Sequence, residues 1–270
     1  MKKLLFLIAV CIATLNTYAK QVDTIEIFSS SMNINIKNVV ILPADYNNKT
    51  NYPVLYLLHG YSGNHKSWIQ IKPKLPELAT LHGIIIVCPD GKNSWYWDSP
   101  VNTKMKFETY VSKELINHID RNYKTKKSPD GRAITGLSMG GHGGLWLGIR
   151  HQDIFGACGS TSGGVDIRPF PDNWEMKKSL GTYDSNSKRW DEHTVINQTH
   201  LIKPTLAIII DCGTEDFFFE VNESLHKKLL DNNIKHDYIT RPGAHNSQYW
   251  SNSIEYQILF FRKFFDKTVL

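Results

Sequence analysis

Residues Gly136-Leu137-Ser138-Met139-Gly140 form a Gly-x-Ser-x-Gly pentapeptide that joins an apolar run to a small-residue helical run. Ahead of it, the turn Ser128-Pro129-Asp130-Gly131 leads into Arg132-Ala133-Ile134-Thr135. Behind it, Gly141-His142-Gly143-Gly144-Leu145-Trp146-Leu147-Gly148-Ile149 continues at helical spacing. A serine on a sharp strand-to-helix turn adopts a backbone angle that few residues tolerate, and glycines two positions to either side remove side chains that would collide. The hydroxyl is thereby pushed into the open. As a bare pattern the pentapeptide turns up by chance in many chains; these flanks make Ser138 the candidate nucleophile.

The rest of the chain supplies the sheet that such a turn projects from. Apolar, β-branched runs alternate with helical stretches, the pattern of a mostly parallel sheet covered by helices on both faces. Strands are expected over 22–28 and 32–41, paired around Ser29-Ser30-Ser31, then over 53–58, 83–88, 132–135, 155–159, 205–211 and 236–240. Helices are expected to end a segment over 76–82, to span 105–122 as an amphipathic crossover, and to cover 218–232 and 247–266. Residues 160–204 read as loop with short helices. With no internal repeat, low-complexity tract or linker, residues 20–270 are expected to form one domain. In a doubly wound sheet, ligands gather at the carboxyl ends of the strands. Those ends are Gly60-Tyr61, Asp90-Gly91, Ser138, the segment 211–216 and the segment 241–245.

A serine hydroxyl is a poor nucleophile at neutral pH, so it needs a base within hydrogen-bond reach and an acid that holds the base in the right tautomer. The order serine, acid, histidine is that of the α/β-hydrolase fold. His245, in Arg241-Pro242-Gly243-Ala244-His245 just past the final strand, is the candidate base. His151, His193, His200, His226 and His236 lie on helices, on strands or in the loop-rich segment and read as structural, as does His142 on the nucleophile helix. Among acids, Asp211 closes a strand and is expected to be held by strand-end hydrogen bonds. Asp216, past Gly213 where the chain can turn, is the better candidate, and Glu215 points elsewhere. Acyl transfer also needs two backbone N–H groups aimed at the developing oxyanion. Met139, at a helix N-terminus, and Tyr61, in the glycine-bearing loop 59–65, are assigned to it. Trp68, Trp95 and Tyr96, with Trp97, sit on loops near the strand ends and are expected to stack on sugar or phenolic rings, the alternative being packing beneath those loops.

Residues 1–19 read as a cleaved secretory signal: Lys2 and Lys3, an apolar run from Leu4 to Leu15 broken only by Thr14, then Thr17-Tyr18-Ala19. The run is too short to span a membrane, and Val10 before Cys11 does not match a lipoprotein signal. Removing the signal lowers the formal charge from +5 to +3, because two lysines leave 29 basic against 26 acidic residues. The basic residues are scattered, which argues against nucleic acid as a partner. Cys88, Cys158 and Cys212 remain and lie in or beside apolar runs, reading as buried thiols, although one disulfide among them stays open. None has metal-ligand spacing, and oligomeric state is not readable.

Together, Leu57-Leu58-His59-Gly60-Tyr61-Ser62-Gly63-Asn64-His65, Pro89-Asp90-Gly91, Ser94-Trp95-Tyr96, Gly136-Leu137-Ser138-Met139-Gly140-Gly141, Asp211-Cys212-Gly213-Thr214-Glu215-Asp216 and Pro242-Gly243-Ala244-His245 resemble the esterase D-like family of α/β-hydrolases. That family includes S-formylglutathione hydrolases, acetylxylan and feruloyl esterases of the first carbohydrate-esterase family, and mycolyltransferases. The resemblance spans about residues 30–266. It implies an α/β-hydrolase fold, no cofactor, a Ser138–Asp216–His245 triad, and oxyanion amides on Tyr61 and Met139. One departure is Ser247, where many relatives place an aromatic two residues after the histidine; the shape of the acyl pocket is affected, the triad is not. The implied activity is exported hydrolysis of acetyl or feruloyl esters on polysaccharide or oligosaccharide. The alternatives are acyl transfer, thioester hydrolysis of the S-formylglutathione type, which is cytosolic chemistry, and a non-catalytic carbohydrate-binding relative.

Overall fold

The computed structural model describes residues 21–267, so the segment read as a signal lies outside the described residues. Eight strands form one sheet: β1 (Val22–Ser29), β2 (Ile34–Ile41), β3 (Val54–Leu58), β4 (Ile85–Pro89), β5 (Arg132–Gly136), β6 (Ala157–Thr161), β7 (Ala207–Gly213) and β8 (Asp237–Arg241), in spatial order β1-β2-β4-β3-β5-β6-β7-β8. β1 pairs antiparallel with β2, and β2 antiparallel with β4; every other pairing is parallel. The expected strands are all present, their bounds moved by up to two residues.

Strand side chains alternate between faces, and here both faces are covered, which is why the central strands read as unbroken apolar runs. In β3, Tyr56 and Leu58 enter one core with Ile134 of β5 and Ile210 of β7, while Leu55 and Leu57 enter the other with Ala133 and Ile209. The first face is covered by the helical segment 107–122, which carries a π-helical stretch over Tyr110–Leu115, by α3 (Met139–Arg150), and by α5 (Phe219–Asp231) through Leu225 and Leu229. The second is covered by α1 (Leu75–His82) and α6 (Ser247–Phe265), through Ala79, Ile254, Ile258 and Phe261. Between them in sequence lie α2 (Ile116–Asn122), closing the 107–122 segment, and α4 (Tyr183–Glu192) of the loop-rich region. Because β3, β5, β6, β7 and β8 run parallel, the loops that follow them emerge together at one rim. The three described cysteines are buried free thiols.

Candidate active site

At the carboxyl end of β5 the chain reverses into α3, and Ser138 sits at φ 55°, ψ −119°, a strained conformation for a residue with a side chain. A Cβ on Gly140 would lie 2.4 Å from the Leu58 carbonyl oxygen, so the turn tolerates no side chain there. Gly60 does the same for the neighbouring loop, since a Cβ there would lie 2.6 Å from the Leu137 side chain and 3.3 Å from Ser138 Cβ. The pentapeptide and the loop 59–65 therefore approach closely because both are glycine-lined.

The loops after β7 and β8 reach the same point. Gly213 turns the chain after β7, the Asp216 N–H donates to the Gly213 carbonyl, and the Glu215 N–H donates to the Gly243 carbonyl, lacing the two loops together. The Ser138 hydroxyl donates to His245 Nε2 at 2.9 Å, and His245 Nδ1–H donates to the Asp216 carboxylate at 3.0 and 2.9 Å. A carboxylate only accepts, so the contact fixes the tautomer that leaves Nε2 free to take a proton. Asp216 is buried and also receives the Phe218 N–H at 2.8 Å, while Glu215 is exposed. Among the described residues, the backbone N–H groups of Tyr61 and Met139 have no hydrogen-bond acceptor. Both flank the cleft at Ser138.

The rival residues are engaged elsewhere. Asp211 accepts from Tyr249 O–H and Arg241 Nη2 at 2.5 Å each, the strand-end contacts expected of it. His226 and His236 hydrogen-bond each other at 2.7 Å, His151 binds Glu108, and His142 is buried edge-on against both Trp95 and Trp97. Burial pushes the His142 imidazole down to about 3, so it is a neutral acceptor for Trp97 Nε1–H at 2.9 Å.

The aromatics expected to stack on substrate need correction. Trp68, Trp95 and Tyr96 are all buried, as is Trp97. Trp68 Nε1–H donates to the Leu58 carbonyl at 2.8 Å, Tyr96 O–H donates to the His59 carbonyl at 3.0 Å, and Trp95 stacks on Trp97 with centroids 5.6 Å apart. Positive φ at Trp95 and Tyr96 (56° and 62°) turns this loop so that the rings pack inward. They are the floor under the rim, not its wall. The cleft itself, about 370 Å³, is walled by Tyr61, Trp174, Phe217 and Trp250 with Ile71 and Leu137. Phe217 lies 4.2 Å from the His245 ring centroid, Trp250 meets the imidazole edge-on at 5.0 Å, and Trp174 stacks on Phe217 at 5.9 Å. Two of these stand beside motif residues in sequence: Phe217 follows the acid directly, and Trp250 lies in the first turn of α6 just after His245.

A family model described as "Putative esterase" matches residues 29–261. The chain belongs to this esterase family. An acetyl esterase of Caldicellulosiruptor saccharolyticus is 26% identical to it over 251 residues, covering 85% of this chain and 94% of the relative. A solved ferulic acid esterase shares 26% identity and superposes with a TM-score of 0.78, covering 90% of this chain and 98% of that one. The fluorophosphonate-binding serine hydrolase FphF of Staphylococcus aureus, 20% identical with a TM-score of 0.80 and covering 89% and 98% of the two chains, shares the fold. The esterase thus has the α/β-hydrolase architecture expected of it, and membership makes it a carboxylic-ester hydrolase.

Proposed function

We propose that this esterase is an exported serine hydrolase that releases acyl groups, acetyl or feruloyl, from polysaccharide or oligosaccharide through an acyl-enzyme on Ser138. The observation that carries the reading is the continuous hydrogen-bond line Ser138–His245–Asp216 beside the two unpaired N–H groups of Tyr61 and Met139. Ser138 Oγ attacks the ester carbonyl carbon while His245 Nε2 takes its proton, and Asp216 stabilises the imidazolium. The carbonyl oxygen becomes an oxyanion held by the Tyr61 and Met139 amides, an interaction worth several kcal/mol of barrier in such sites. His245 passes the proton to the leaving alcohol as the C–O bond breaks. Water, deprotonated by the same imidazole, then attacks the acyl-enzyme, and the carboxylic acid leaves with Ser138 restored. No cofactor enters these steps.

Substrate class rests on the acetyl esterase and ferulic acid esterase among the relatives, and export rests on the signal-like residues 1–19. Hydrolysis is favoured over acyl transfer because the cleft is open: Phe217, against the catalytic imidazole, is 52% exposed, and transfer requires that water be kept out. The test is turnover of p-nitrophenyl acetate, acetylated xylan and methyl ferulate by the wild type and by Ser138→Ala. The variant is expected to lose roughly 10⁵–10⁶-fold in kcat with an unchanged circular dichroism spectrum. Wild-type turnover by Ser138→Ala overturns the reading.

A further inference from the structure

A second cavity, larger than the cleft at about 610 Å³, opens at the other end of the nucleophile helix, between the 107–122 segment and residues 192–200. Its wall is organised around Glu108, a buried carboxylate that accepts from Trp146 Nε1–H at 2.9 Å, Arg150 Nε–H at 2.9 Å and His151 Nε2–H at 2.8 Å. Burial raises the Glu108 pKa, but these donors outweigh it and hold the group at about 2, so it is ionised near neutrality.

The groups around Glu108 have defined hydrogen-bonding roles left to offer. Arg150, its guanidinium 4.5 Å over the Trp146 ring, uses only Nε on the carboxylate and keeps both terminal nitrogens as donors. Lys113 is exposed and has no partner among the described residues. His151 donates from Nε2 to Glu108, and its Nδ1 has no partner among the described residues. His193 donates from Nδ1 to the Arg189 carbonyl, stacks on Trp146 at 5.5 Å, and presents Nε2; burial lowers its pKa and keeps it neutral. His200 donates from Nδ1 to the Asn197 carbonyl and likewise presents Nε2. The fixed charges nearly cancel, with Asp98, Glu108 and Glu192 against Lys113 and Arg150. An anion would face three carboxylates and a cation two fixed positive charges. A neutral ligand whose groups both donate and accept meets neither penalty, and sugar hydroxyls are such groups.

We propose that this cavity is a second saccharide-binding pocket, which holds a neutral stretch of the polysaccharide while another stretch of it presents its ester at Ser138. The inference rests on the polysaccharide reading above. Ser138 and Arg150 stand at opposite ends of α3, whose 12 residues rise about 18 Å, the length of a short oligosaccharide. None of the residues that would bind sugar here takes part in the chemistry.

The test titrates Ser138→Ala protein by calorimetry with xylohexaose, cellohexaose and trigalacturonate, and repeats the titration with Lys113→Ala/His200→Ala added. Both added changes are at exposed side chains, and Arg150→Gln, which still donates to Glu108, serves as an independent variant. A neutral hexasaccharide is expected to bind, and each variant to weaken it about tenfold, a change of ~1.4 kcal/mol. Titrations of the variants that match their parent, binding of trigalacturonate alone, or no binding of any sugar overturns the proposal. With Ser138 restored, these variants are expected to hydrolyse p-nitrophenyl acetate at the wild-type rate. A wild type without esterase turnover would sink the catalytic reading, while the titration would still report on the pocket.

Discussion

Two sets of aromatic residues lie at and beneath the rim that holds His245, and they do opposite work. Those that precede the nucleophile in sequence, Trp68, Trp95, Tyr96 and Trp97, are buried under the rim with their polar tips or ring faces taken by the protein. Those that follow it, Trp174, Phe217 and Trp250, face the cleft and touch one another or His245. A position on a loop near the strand ends does not by itself make an aromatic part of a binding surface. What separates the sets is where the loop goes: the 94–97 segment packs against α3 and the loop-rich region, whereas Phe217 and Trp250 are carried by the loop of Asp216 and the helix that follows His245. Floor residues should fail through stability and wall residues through kinetics.

The largest effect expected from this contrast is on the floor. Trp95→Ala removes a fully packed ring and should destabilise the fold by about 3–5 kcal/mol, a fall in Tm of roughly 10 °C. A thermal melt close to wild type would show that the ring is not part of the frame. The floor is also the acid-sensitive side. His142, neutral with a folded value of about 3, is depressed below the ordinary histidine value, so its contribution to stability is present above about pH 6.5 and is lost as pH falls from there toward 3. The unfolding free energy measured across that window should drop by an amount on the order of a few kcal/mol for the wild type and less for His142→Gln, whose side chain still accepts a hydrogen bond without taking up a proton. Equal slopes for the two proteins would remove His142 as a cause.

On the wall, Phe217→Ala should leave Tm within about 2 °C of wild type while lowering kcat/KM for methyl ferulate about tenfold. Loss of stability in place of catalysis would move Phe217 to the floor. The smallest expected effect is that of reductant. With Cys88, Cys158 and Cys212 as buried free thiols, dithiothreitol should shift Tm by nothing measurable, and a clear fall would reveal a disulfide.

The contrast also marks how far the chain could be read without coordinates. Apolar, β-branched runs and the Gly-x-Ser-x-Gly turn were enough to locate the strands along the chain and place Ser138, because buried parallel strands and a strained turn leave little freedom in residue choice. His245 and Asp216 were readable because they lie just past apolar runs whose ends must share one rim, and Asp211 could be set aside because a side chain closing a strand is claimed by its neighbours, here Arg241 and Tyr249. The direction of an aromatic ring on an irregular loop has no such period. It depends on dihedrals such as the positive φ of Trp95 and Tyr96, which composition does not announce. Trp174 shows the same difficulty in reverse: it lies in the segment 160–204, which carries no strand pattern, yet it reaches the cleft. Phe217 and Trp250 had a usable signal in their closeness to the acid and the base.

The central claim, that Ser138 is an activated nucleophile, is tested most directly by exposing the native esterase to a fluorophosphonate and mapping the adduct by mass spectrometry. The account predicts a single phosphonylated site at Ser138, with labelling strongly slowed in His245→Ala. An unlabelled protein, or an adduct on another residue with Ser138 unmodified, contradicts it.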